Sequence, residues 1–299
     1  MDHATAIAAF FVNGDKPVPA PVLDAGAARR LRDAFEPVAM HAVWSELVAQ
    51  RFAAHGLDFF ESYVWGRAVV LGEPVGAVVA ATFAAFEPGL IAQVYESARA
   101  KLSRDEALAL VVGGTGESLR AVLGGADVQA ALEPLQRAVA EADPTGRALF
   151  ASVQALPWPD DPYARLWQAC LALREHRGDA HVIAYLGEGF DAVQMNVLTE
   201  LWLDYDLGEY SASRAWSEAR TAAALDELRR AGLLDGDRLT EAGRARRQAV
   251  EDRTDALCAG VVASLGDRLD EITTSLDRWS AACVAARSFP PDPRKRAGG

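Results

Sequence analysis

Residues 232–244 read GLLDGDRLTEAGR, and few backbone arrangements suit them. Gly232 can take the left-handed conformation that closes a helix. Asp235, Gly236 and Asp237 supply a tight turn between two short strands, and Thr240 can cap a new helix with its hydroxyl. The stretch before it, SEARTAAALDELRRA (217–231), predicts a helix with Ala222, Leu225 and Leu228 turned inward. Another helix is predicted around 190–204, separated from it by the polar turn GEYSASRAW.

Upstream, helical spacing of apolar residues predicts segments at 27–54 with a break at Pro37, then 57–70, 75–86, 89–100, 104–123, 127–142 and 145–154. VVLGEPVGAVV reads as a turn followed by a helix. The Gly-rich VVGGTGESLR (111–120) lacks the lysine and spacing of a phosphate loop and reads as a helix interruption. Residues 75–98 read as a helical hairpin. ALPWPDDPY (155–163) forbids a continuous helix, but Asp160 or Asp161 can cap one that opens on Pro162 and runs on to about Leu186. These signals predict a mainly α protein: a helical part over 1–155 and a second over 156–289, which contains a winged helix at about 190–256. FPPDPRKRAGG predicts a disordered tail over 290–299.

Helix, turn, helix, hairpin, helix is the order of a winged helix, and LTEAGR resembles the segment after the wing in MarR-type regulators. ARRLRDAFEPVAMH (28–41), GRAVVLGEPVGAVVAATFAAFEP (66–88), LPWPDDPYARLWQACLALREHRGDAHV (156–182) and the wing together resemble the SalK-like family of high-GC bacterial proteins. Ala180 departs from the HRGDGH of that family. The resemblance implies a shared fold, a special site at HRGDAH and a setting in natural-product biosynthesis; it implies no particular reaction.

Nucleic-acid binding draws its affinity from cations, whereas this chain carries a net charge of −12. From Glu209 to Ala256, nine arginines face ten acidic residues, and the wing tip is itself acidic. The wing is therefore read as degenerate, with DNA not expected as a partner. Cys170, Cys258 and Cys283 lack metal-finger spacing and read as reduced, buried thiols. MDHATAIAAFFVNGDKP has no basic start and no long apolar run, so a cytoplasmic, membrane-free protein is expected.

The chemistry concentrates in LREHRGDAHVIAYL (173–186). On one helix His176 and His181 stand about 140° apart, too far around for a two-histidine metal site. His176 with Asp179 and Arg177 with His181 are in pairing register, with Gly178 between them as a weak point or break in the helix. An aspartate beside a histidine suits acid/base work, and a guanidinium suits a carboxylate or phosphate. His176 and Asp179 are thus the candidate catalytic pair, with Arg177, His181, His41, Tyr63 and Arg67 as substrate-binding candidates. No cofactor is predicted, and a metal at the histidines is a minor alternative. The seven tryptophans could line an aromatic chamber or simply pack the core. The leading expectation is an enzyme of secondary metabolism acting on a small organic molecule by isomerisation, cyclisation or elimination. The alternatives are a MarR-like ligand-responsive regulator and a non-catalytic scaffold; a homodimer is expected.

Overall fold

The computed structural model describes residues 1–11 and 25–298. The N-terminal stretch read above runs to Pro17, so its end lies outside the described residues. The chain is mainly α-helical, with one two-stranded antiparallel hairpin pairing Leu234 with Leu239. The helices are α1 (His3–Phe10), α2 (Ala27–Ala39), α3 (His41–Trp44), α4 (Glu46–Ala53), α5 (Phe59–Ala68), α6 (Gly76–Phe83), α7 (Pro88–Lys101), α8 (Arg104–Val122), α9 (Gln129–Glu141) and α10 (Ala148–Gln154). Then come α11 (Pro162–Gly187), α12 (Ala192–Trp202), α13 (Glu218–Arg230), β1 (Leu234–Asp235), β2 (Arg238–Leu239), α14 (Glu241–Leu257), α15 (Ala259–Leu265), α16 (Leu269–Ala285) and α17 (Pro293–Gly298).

Local chemistry sets the boundaries. Asp161 accepts from the backbone N–H groups of Tyr163 and Ala164, so α11 opens at Pro162 as the sequence predicts. Ser217 caps α13, Gly232 turns the chain at φ 72°, and Thr240 caps α14. Gly243 is required because a Cβ there would collide with the Leu233 carbonyl, which packs against the first turn of α14. One inward residue differs: Ala222 is exposed, while Ala224 joins Leu225 and Leu228 in the buried face.

The predicted interruption at 111–120 is corrected. α8 is continuous, and its glycines serve close packing, since a Cβ on Gly116 would lie 2.9 Å from that of Ala164 at the start of α11. Gly178 makes no break either, because α11 runs unbroken through it.

Two hydrophobic cores form. The larger draws on α2 to α10, the first half of α11, and also α15 and α16 through Val261, Leu265, Ile272, Leu276, Trp279 and Cys283. The smaller gathers the end of α11, α12, α13, the wing and α14 around Val197, Leu198, Trp202, Leu228 and Val250. α11, about 39 Å long, belongs to both. The chain after the wing returns to the first core, so the cores do not divide at residue 155. The expected tail is corrected as well: Arg294 is clamped by Asp292 at 2.9 Å and lies 3.9 Å over the Tyr205 ring, and Ala297 is buried in the second core. No single helix among the described residues is long and apolar enough to cross a membrane.

Candidate functional site

Where the two cores meet, a cleft of about 1050 Å³, counted with its open mouth, lies over the second half of α11. α2, α5 and the α6–α7 corner form one wall; α12, the turn before α13, and α14 form the other. Seven arginines line it: Arg29, Arg32, Arg67, Arg174, Arg177, Arg214 and Arg247.

Six of the seven are committed to carboxylates. Arg67 grips Glu175 with two bonds, Nε to Oε1 at 2.9 Å and Nη2 to Oε2 at 2.7 Å. Arg174 bridges Glu175 at 3.0 Å to Glu36 at 3.2 Å, and Arg32 meets Glu36 and Asp33. Arg29, Arg177 and Arg247 converge on the single carboxylate of Glu251, and Arg177 also reaches Asp255 at 2.6 Å. Arg247 lies 4.3 Å over the Trp202 ring. Burial would raise the carboxyls of Glu175 and Glu251, but the arginines around them outweigh it. Glu175 falls to about 2 and Glu251 lies well below its ordinary value.

Two charged groups lining the cleft have no ion partner among the described residues. Arg214 sits in the turn between the helices of the helix–turn–helix, its guanidinium 4.8 Å from the Phe86 ring and 4.6 Å from the Tyr210 ring. It donates to neighbouring hydroxyls, while its buried Nε has no acceptor. Asp179 accepts from the backbone N–H of Phe150 at 3.1 Å through Oδ2. Its carboxyl is pushed up to about 6, first by burial and then by Glu175, against the N–H groups of Phe150 and Leu149 and the charge of Arg67.

The cleft gathers Arg177, Asp179, His181, Tyr63 and Arg67. It does not gather His176 or His41. His176 is edge-on to Phe150, with its Nδ1 3.9 Å from the Cys258 sulfur, and it does not line the cleft. Of the predicted His176–Asp179 pair, the cleft holds Asp179 alone, and the two side chains take different partners, the Phe150 N–H for Asp179 and Cys258 for His176. His41 is fully buried, shares a hydrogen bond of 2.8 Å with the Ser118 hydroxyl, and does not meet His176. His181 bonds the Thr254 hydroxyl at 3.2 Å beside the arginine cluster, and burial followed by Arg247 lowers it to about 3. Burial likewise lowers His41 to about 4, and burial with Arg147 lowers His176 to about 4. No tryptophan lines the cleft. Among the described residues no three histidine, cysteine or acidic groups converge as a metal site, and the three cysteines are free and buried.

Sequence reasoning missed Arg29, Glu251, Arg247 and Arg214. The spacing on α2 gave no signal for them: Arg29, Arg32 and Glu36 lie about 125° around the helix from Leu31, Phe35 and Val38, yet both sides are buried.

The helix–turn–helix itself is α12 and α13, joined by a turn that the first wall holds. The Ala85 carbonyl accepts from Asn196 Nδ2 and Trp216 Nε1, both at 2.9 Å, and the Glu87 N–H donates to the Arg214 carbonyl at 3.0 Å. The outer face of α13 shows Ala219, Ala222, Ala223 and Asp226. Arg220 pairs with Asp191 and Glu227, and Arg229 with Asp226 and the wing's Asp237.

A winged helix–turn–helix joined to a helical body across an arginine-rich cleft defines the class of this protein. The chain matches a helix-turn-helix family over residues 28–290, nearly its full length, and belongs to that family. No curated protein and no solved structure matches it.

Proposed function

We propose that this helix-turn-helix protein binds a small aromatic carboxylic acid in the cleft, and that the winged helix serves as one wall of that site. The observation that carries this reading is Arg214, a cleft-lining cation with no carboxylate partner among the described residues and a buried Nε without an acceptor. An uncompensated guanidinium between two rings, beside arginines already neutralised, favours an incoming acid. Tyr63, Phe83 and Phe86 form a contiguous aromatic surface beside it, suited to a flat apolar body. His176 lies outside the cleft, so what supports a role for the cleft itself is the binding chemistry of Arg214 and the aromatic surface. Calorimetric titration of the full chain with 4-methylbenzoate at pH 7.5 tests it. Saturable one-site binding that Arg214→Gln weakens about tenfold or more is expected; heat no different from the dilution blank would sink the proposal.

Membership of a helix-turn-helix family favours a second reading, a ligand-responsive regulator that binds DNA. The surface of the module gives it little support: α13 offers Ala219, Ala222, Ala223 and Asp226 outward with Arg230 exposed at its end, and its arginines at 220 and 229 are ion-paired. A gel shift at low salt against random duplex DNA decides, because any phosphate-driven binding is strongest there. Retarded duplex would favour the regulator.

A further inference from the structure

We infer that the acid bound in the cleft also carries a protonated amine at its far end, which pairs with Asp179. This rests on the reading of Arg214 as the anchor of the acid group and adds a second pole to the same site.

With Arg214 and Asp179 the cleft is left incomplete at two points of opposite sign. Every other charged side chain lining it, among the described residues, is engaged by an opposite charge: Arg67 by Glu175, Arg177 and Arg247 by Glu251, Arg174 and Arg32 by Glu36. A mostly buried carboxylate with no counter-charge is unfavourable in an apolar setting. The raised carboxyl of Asp179 agrees with that geometry. Its protein partners are backbone N–H groups, Phe150 on Oδ2 and Leu149 beside it, and neither is a cation. The neighbouring position toward the cleft is Gly178, where even an added Cβ would meet nothing nearer than Glu175 Oε2 at 3.8 Å, so space is left beside the carboxylate.

Both poles line the same cleft, and a run of aromatic contacts leads from the first toward the second. Arg214 lies on Phe86, Phe86 touches Tyr63 at 5.7 Å, and Tyr63 touches Phe83 at 6.4 Å. Phe83 lies 4.6 Å beneath Arg67, whose charge acts on Asp179. An acid and an amine on adjacent atoms would satisfy one pole only. A flat body with the acid at one end and the amine at the other satisfies both while its ring covers the aromatic wall. Arg67 is no rival for the acid, since both of its donor edges toward Glu175 are in use. His181, held neutral beside the arginine cluster, is no rival for the amine.

Three para-substituted benzoates that differ only at the far end test the inference on the full chain by calorimetry at pH 7.5: 4-(aminomethyl)benzoate, 4-(hydroxymethyl)benzoate and 4-methylbenzoate. The amine is expected to bind about tenfold tighter than the other two. Asp179→Asn, which keeps an acceptor for the Phe150 N–H, is expected to erase that advantage without weakening 4-methylbenzoate. Equal affinity of the amine and 4-methylbenzoate in the unaltered protein overturns the inference and leaves acid binding standing. Affinity of the hydroxymethyl compound equal to that of the amine also overturns it, since a neutral donor then suffices. If none of the three binds, the anchoring role of Arg214 falls as well.

Discussion

Between pH 4 and pH 6 the unfolded chain loses the Asp179 proton while the folded chain keeps it, because burial holds the native carboxyl at about 6 against 3.8. A raised carboxyl stabilises the fold below the unfolded value and loses that contribution as pH rises through the folded one. Asp179 therefore weakens the fold at neutral pH. Asp179→Asn is expected to raise the unfolding free energy by roughly 2–3 kcal/mol at pH 8 and by about half of that at pH 5. Urea unfolding at the two values checks it, and a loss of stability at pH 8 would contradict the geometry drawn for Asp179. Glu251 behaves in the opposite way. Three guanidinium groups share its carboxylate, so Glu251→Gln leaves buried positive charge and is expected to cost about 3–5 kcal/mol. A loss under about 1 kcal/mol in the same measurement would show the cluster to be loosely held. At this scale the sequence was half legible. HRGDAH marks the floor of the cleft through Arg177, Asp179 and His181, but its helix register does not say that His176 turns toward Cys258. Nor can local spacing reveal a pair such as Arg29 with Glu251, which are 222 positions apart.

The elements were more readable than the site, since caps and breakers act locally. Asp161–Pro162, Ser217, Gly232 and Thr240 each begin or end a helix where their chemistry requires it. Thr240→Ala, removing the bond from the Gly243 N–H, is expected to lower stability by about 1 kcal/mol. Gly243→Ala is expected to do more damage than the cap loss, because its methyl meets the Leu233 carbonyl and must push the wing off α14. Thermal melts of the two variants check that order; Gly243→Ala melting as the unaltered protein does would refute the close approach. The glycines of α8 misled for a physical reason. Low helix propensity is a local signal, whereas the packing of α11 against Gly116 is a tertiary one, and the tertiary term prevails. The C-terminal prolines misled in the same way: Tyr205, Asp292 and Arg294 hold α17 in place across a long sequence separation.

For the molecule as a whole, two cores joined by one shared helix place a polar seam where they meet, and the ion-pair network occupies that seam. A hydrophobic pattern read along the chain predicts two helical parts and a wing; it does not predict that α15 and α16 return to the first part, because either core would accept their apolar faces. His41, His176 and His181 are all lowered by burial, and a base lowered in the fold stabilises it above 6.5 and loses that effect as pH falls toward about 4. Asp179, Glu200, Asp255 and Asp277, all raised by burial, oppose them, while Glu175 and Glu251, held low by arginines, act with the histidines at the acid end. The urea midpoint is expected to fall between pH 6.5 and pH 4, and a midpoint that held constant or rose would contradict the burial of these rings. The central claim is that the helix–turn–helix turn supplies, through Arg214, the anchor for a small organic acid. Calorimetric titration of 4-methylbenzoate into the unaltered chain and into Arg214→Gln tests this most directly. One-site binding that weakens about tenfold or more in the variant is the expected result; equal affinity in both proteins, or no binding to either, would contradict the claim.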